Sequence, residues 1–224
     1  MNRKPLNRRQ LILASSATLA SLLIGCREKN RFKGLSPDTP EIDTANDTSS
    51  QCASTSNDIA GPYWRDDIPV RNDFDLYGHN GQKLRLSGTV RNERCEAIAN
   101  AVIEMWHATP TEVPANALTP TDSVDYDTSS RRFRYYGQFS TDAQGAYAMS
   151  TLKPGWYLNG STFRPSHIHV KIYVDGIERL TTQLYFQDDP FIEGDPWAST
   201  APKRALELKP TENGELSGHF DFTI

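Results

Sequence analysis

From Lys83 onward the apolar residues of this chain fall at alternate positions in short runs, and no stretch keeps a helical period for more than about three turns. The runs are KLRLSGTV, RNERCEAIAN, AVIEMWHA and YYGQFSTDAQGAYAMSTLKPGWY, followed by HIHVKIYV. Turn residues punctuate them. DAQG between FST and AYAM reads as a hairpin loop, its glycine free to take a positive φ, and Asp175-Gly176 ends HIHVKIYV. The expectation is an all-β fold, two packed sheets forming a sandwich, without internal repeats.

The N-terminal part reads differently. Residues 1–25 combine a basic stretch, in which Arg8 and Arg9 are adjacent, with LILASSATLASLLIG, too short and too Ser-rich for a good spanning helix. Leu23-Ile24-Gly25-Cys26 resembles a bacterial lipoprotein cleavage box. The reading is a twin-arginine export signal, then lipidation of Cys26 and attachment to a membrane surface facing the periplasm or the cell exterior; an uncleaved anchor is the alternative. Residues 26–57 carry no apolar periodicity and are expected to be a flexible tether, leaving 58–224 as one domain. Removing Arg3, Lys4, Arg8 and Arg9 with the signal takes the formal net charge from −4 to −8. An acidic chain without a basic stripe is a poor candidate for nucleic-acid binding. With Cys26 lipidated, Cys52 and Cys95 remain as one possible disulfide in an oxidising compartment.

Within HIHVKIYV, His167 and His169 stand two apart and share one face of the strand. Such a pair more often packs, hydrogen-bonded into a half-buried face, than binds a metal. Other residues must decide. A cupin would want a glutamate four or five residues beyond the second histidine, where this chain has Tyr173 and Val174. A zinc hydrolase would want a third histidine or a carboxylate, and His107 is the histidine available near another strand end. No nucleophile-elbow sequence supports a Ser-His-Asp hydrolase.

The stretch from SGTV through STDAQGAYAMSTLKPGWY also fits the transthyretin-like modules of exported proteins, many of which are not catalytic. A binding module is therefore the rival reading. More of the chain resembles the intradiol ring-cleavage dioxygenases, the catechol and protocatechuate dioxygenase family. The blocks that carry this are GPYWRDDIPVRNDF, LRLSGTVRNERCEAIANAVIEMWHA, Tyr126 in SVDYDTSS, GQFSTDAQGAYAMSTLKPGWY, RPSHIHVKIY and LTTQLYFQDDP. By position the resemblance implies ferric iron held by Tyr126, Tyr157, His167 and His169. Hard phenolate oxygens with imidazoles suit that ion, and the ion in turn stabilises phenolates whose free pKa is about 10.

The resemblance further implies O2 and a catechol-type substrate, cleaved between its hydroxyl-bearing carbons to a cis,cis-muconate-type dicarboxylate. Tyr157 is then the tyrosine that leaves the metal and takes a substrate proton. Arg164 stabilises developing negative charge, with a strand-entry ion pair as its alternative. Gln183 matches a second polar residue near the substrate. Pro62 and Tyr63 match the mouth of the site, and Trp156 and Tyr185 read as core or wall. The loop LNGSTF after Tyr157 matches no one substrate branch, and the helical N-terminal dimerisation region of the catechol-type enzymes is missing, which leaves substrate and oligomeric state open. Arg131, Arg132 and Arg134 suggest a cation for a carboxylated catechol such as protocatechuate.

Overall fold

The computed structural model describes residues 51–75, 77–128 and 133–224. The export signal, Cys26, the tether up to residue 50, and Arg131 and Arg132 lie outside the described residues. The strands are β1 (Lys83–Arg91), β2 (Val102–Trp106), β3 (Tyr136–Ser140), β4 (Ala146–Leu152), β5 (Leu158–Asn159), β6 (Thr162–Phe163), β7 (His167–Val174), β8 (Ile177–Phe186), β9 (Ala205–Leu206), β10 (Lys209–Pro210), β11 (Leu216–His219) and β12 (Phe222–Thr223). Among the described residues the helical turns are all short 3-10 turns, so the all-β expectation holds.

Two five-stranded sheets make the sandwich. In one, β1 pairs antiparallel with β4 and parallel with β11 and then β12. The other runs β3-β2-β7-β8-β9, antiparallel except for β8 with β9. Alternation decides what lies between them. Leu84, Leu86 and Met149 from the first sheet meet Ile103, Met105, Ile168, Val170, Ile172 and Leu184 from the second, all buried. The opposite face of the second sheet carries Trp106, His167, His169, Gln183 and Tyr185, and it too is covered, by the long connections. That explains why β7 is buried at every position from His167 to Ile172.

DAQG departs from the expected hairpin. Gly145 takes φ +71° and its N–H bonds to the Asp142 carbonyl, but β3 pairs with β2 while β4 pairs with β1. The turn therefore hands the chain from one sheet to the other. RNERCEAIAN is likewise a turn and not a strand: the Asn92 carboxamide oxygen accepts the N–H groups of Arg94 and Glu96, and Cys95 and Asn100 take φ of +64° and +57°. Asp175-Gly176, with φ of +52° and +75°, ends β7 as expected and forms a tight hairpin with β8.

The expected tether also needs correction at its end. Cys52 is bridged to Cys95, Cα atoms 5.3 Å apart, and the Cys52, Thr55 and Asp58 N–H groups bond to Glu93, Thr223 and Thr181 carbonyls. Residues 52–58 are thus laid onto the sandwich by backbone bonds, which polar composition does not reveal.

His107, just past β2, is fully buried; its Nδ1–H donates to the Ala108 carbonyl and Nε2 accepts from the Thr151 hydroxyl, each at 2.7 Å. Both nitrogens are used, which removes His107 as a third metal ligand. Burial lowers its pKa to about 4 against 6.5 when free. The unfolded chain therefore binds the extra proton first, and stability falls as pH drops from about 6.5 to about 4, by up to roughly 3 kcal/mol from this residue. Chemical denaturation across that window should show a slope shallower by up to one proton in His107→Asn; an unchanged slope would refute the assignment.

Candidate metal centre

Each side chain of the site is delivered by a different physical device. β7 brings His167 and His169 to the same face because they are two apart, with ring centroids 4.8 Å apart. The β5-β6 hairpin, turned by Gly160 at φ +67°, folds back so that the Arg164 N–H bonds to the Tyr157 carbonyl at 2.9 Å. That places Tyr157 and Arg164 side by side. The connection carrying Tyr126 is tied to this corner by the Val124 N–H to the Trp156 carbonyl, 3.1 Å, and the Leu158 N–H to the Ser123 hydroxyl, 2.9 Å.

Tyr126 Oη lies 3.0 Å from His169 Nε2 and 3.3 Å from His167 Nε2. The Tyr126 and Tyr157 rings meet edge to face at 5.4 Å, and the Tyr157 ring is 5.6 Å from that of His167. Two phenols and two imidazoles, distant in sequence, thus converge. Tyr126, His167 and His169 are buried while Tyr157 is half-buried, so one phenol alone has an outlet toward solvent.

His167 Nδ1–H donates to the Pro165 carbonyl at 2.6 Å; a carbonyl only accepts, so Nε2 keeps a free lone pair aimed at Tyr126. Burial first, then the Arg164 guanidinium, holds the His167 pKa down at about 3. Burial and then His167 hold His169 well below its usual value. The Trp106 ring stacks on His169 at 4.9 Å, nearly parallel. His169 Nδ1 lacks a well-formed hydrogen bond, although the Ile59 carbonyl is near enough to oppose the downward shift. Tyr126 is pushed well above 10, chiefly by burial and next by Tyr157.

This donor set fits a hard, highly charged cation. Two neutral imidazoles meet the Tyr126 hydroxyl at 3.0 and 3.3 Å with the Tyr157 ring alongside, and a cation would use both Nε2 lone pairs and favour the Tyr126 phenolate that burial opposes. Among the described residues no cluster of three or more His, Cys, Asp or Glu side chains offers a competing site.

Arg164 forms the strand-entry ion pair weighed for it and also faces two of the candidate ligands. Its Nε and Nη2 form a buried two-point pair with Asp195 at 2.7 and 3.2 Å, while Nη1 points to Tyr157 Oη at 3.4 Å and His167 Nε2 at 3.5 Å. Burial alone would raise the Asp195 pKa, but hydrogen bonds from Arg164 and the Ala198 and Trp197 N–H groups hold it below the usual range. The Trp197 ring covers the guanidinium at 4.6 Å. Nothing in the sequence marks Asp195, which lies 31 residues downstream.

Tyr63 stacks face to face on Tyr126 at 4.2 Å and meets Tyr157 edge-on at 6.1 Å, whereas Pro62 is exposed. Gln183 is fully buried and its amide donates to the Ile59 carbonyl at 2.9 Å and the Asp58 carboxylate at 3.3 Å. These bonds brace the N-terminal segment next to His169, which stands opposite Gln183 in the strand register. Trp156 donates to Asp189 at 2.7 Å, and the Tyr185 ring lies 5.9 Å from that of His167. Arg134 is engaged by Asp127 at 2.8 Å and by His79 Nε2 at 2.8 Å, which corrects its assignment as a free cation for a carboxylated substrate.

A family model described as Dioxygenase matches residues 59–223. The chain is 34% identical over 184 residues to chlorocatechol 1,2-dioxygenase of Pseudomonas putida, covering 74% of this chain and 66% of that one. It is 30% identical over 156 residues to the protocatechuate 3,4-dioxygenase beta chain of Burkholderia cepacia, covering 64% and 65%. The chain thus spans about two thirds of the length of these relatives. Among solved structures, the dioxygenase domain of a dioxygenase carbohydrate-binding protein fusion from Streptomyces sp. SirexAA-E superposes with a TM-score of 0.64 at 27% identity, covering 77% of this chain and 98% of that one. The chlorocatechol 1,2-dioxygenase of Pseudomonas putida gives 0.60 at 28% identity, covering 73% and 69%. The fold and the matched relatives define a ring-cleaving dioxygenase. This chain belongs to the intradiol ring-cleavage dioxygenase family.

Removing Asp195 strands a buried guanidinium. Asp195→Leu should lower the unfolding free energy by roughly 3–5 kcal/mol, whereas Glu215→Gln, at the exposed Arg85 pair, should leave it nearly unchanged. Equal losses in urea titrations would contradict this reading of Arg164.

Proposed function

We propose that this protein is a ferric intradiol dioxygenase that inserts both atoms of O2 between the hydroxyl-bearing carbons of a catechol-type aromatic, yielding a cis,cis-muconate-type dicarboxylate. The observation that carries the reading is the meeting of Tyr126 Oη with both histidine Nε2 atoms beside Tyr157. Tyr126, Tyr157, His167 and His169 would hold the ion. A bound ferric ion supplies Lewis acidity, drawing electron density from a catecholate so that the ring carbon becomes reactive toward O2.

The residues around it have separable tasks. Tyr157, whose ring is half-buried, would swing outward from the bound ion as a phenolate and accept one substrate proton at Oη. Tyr126 cannot follow, being buried beneath the Tyr63 ring. Arg164 is anchored by Asp195 and keeps a fixed positive charge at the Tyr157 and His167 side of the site, where it stabilises negative charge as it develops on the substrate. Tyr63 and Trp197 supply aromatic surface that limits water beside the reacting ring.

A non-catalytic binding module remains the rival. It has no need for buried, neutral, paired histidines aimed at two phenols. The export signal and Cys26 lipidation belong to this proposal too: the Cys52–Cys95 bridge suits an oxidising compartment, as an exported protein requires.

The test is turnover under labelled dioxygen. Iron-loaded protein given catechol or chlorinated catechols should form a dicarboxylate carrying both labelled atoms, and Tyr157→Phe should lower kcat by roughly 10²–10⁴-fold by removing the proton acceptor. Oxygen uptake indistinguishable between wild type and Tyr157→Phe, or product without label, would overturn the reading.

A further inference from the structure

Behind the candidate ligands lies a second buried charge pair that the proposed reaction does not use. The Asp58 carboxylate accepts four hydrogen bonds: Oδ1 from the Ile59 N–H at 2.6 Å and Gln183 Nε2 at 3.3 Å, Oδ2 from the Tyr185 hydroxyl at 2.9 Å and Arg204 Nη1 at 2.5 Å. Both side chains of the pair are buried, 2% exposed for Asp58 and 6% for Arg204. Arg204 Nη1 also reaches the Gln183 carbonyl at 3.0 Å and the Thr182 hydroxyl at 3.2 Å.

What these groups touch gives the pair its meaning. In the β7-β8 register Tyr185 stands opposite His167 and Gln183 opposite His169. Tyr185 also contacts the His167 ring at 5.9 Å. Three residues beyond Asp58, Gly61 takes φ +68° and lies so close that a Cβ there would stand 3.2 Å from His169 Cε1. Two residues further, Tyr63 covers Tyr126. One carboxylate therefore fixes both the β8 side chains beside the two histidines and the backbone that presses on His169. For stability alone an apolar pair of similar volume would serve as well, because desolvation consumes most of the Coulombic gain. A charged acceptor of four bonds adds direction.

We infer that Asp58, held by Arg204, is a positioning residue that sets the orientation of His167 through Tyr185 and of His169 through the segment Ile59 to Gly61. The inference rests on the ferric reading given above, and its test separates the two. Iron-loaded full-length protein is compared with Asp58→Asn, Asp58→Glu and Tyr185→Phe for iron release to excess chelator, for the position of the visible phenolate-to-iron band and for thermal melting. Met149→Ala, a core truncation in the other sheet, controls for destabilisation alone.

Asp58→Asn and Tyr185→Phe should each release iron roughly tenfold faster and shift the band, with Asp58→Glu recovering part of the loss. Met149→Ala should melt lower with release and band unmoved. If Asp58→Asn does not fold, Tyr185→Phe decides, since it removes a single hydroxyl. Wild-type release and an unmoved band in Tyr185→Phe and in any folded Asp58→Asn would overturn the positioning role while leaving the ferric reading intact. A wild type without any band would overturn both.

Discussion

The structure depends on the two-residue period of one strand. β7 is buried on both faces, and its alternation sends Ile168, Val170 and Ile172 into the core while His167 and His169 face the other way. Rotating the strand to release a histidine would expose the core residues, so the hydrophobic effect that closes the sandwich also fixes where the imidazoles point. The site takes its rigidity from the sheet and its other donors from loops. That division brings the Tyr126 hydroxyl to about 3 Å from both imidazoles although the phenol and the histidines are some forty residues apart.

Burial then sets the chemistry. Desolvation keeps His167 and His169 neutral and Tyr126 protonated, which leaves imidazole lone pairs available and makes phenolate formation conditional on an opposing charge. Arg164 supplies a fixed charge nearby, but as a guanidinium it neither gives up its proton nor binds metal. A cation at the meeting point of the four donors reconciles these demands. Tyr126 is buried while Tyr157 is half-buried, and the proposed division of labour between them rests on that difference.

Much of this was legible from residue types alone. Period-two alternation and the Asp175-Gly176 turn locate β7, and the two-residue spacing places both histidines on one face. Tyr126 and Tyr157 came from the order of blocks shared with a family, because nothing local distinguishes a metal-binding tyrosine from a surface one. DAQG was misread as a hairpin because a turn sequence specifies its own backbone and not which sheet receives the next strand. Residues 52–57 read as tether because their order derives from backbone bonds and a bridge. Asp195, Asp58 and Arg204 left no signal, since long-range ion pairs depend on tertiary proximity. Arg134 had the right charge, but Asp127 and His79 had already claimed it.

The central claim is that two tyrosines and two histidines of this chain hold ferric iron, and the visible absorption spectrum of iron-loaded protein before any substrate is added tests it most directly. The account predicts a broad phenolate-to-ferric charge-transfer band, a red-brown protein, with the band lost when Tyr126 and Tyr157 are both replaced by phenylalanine. A protein that stays colourless after ferric reconstitution, or a band that survives the double replacement, would contradict it.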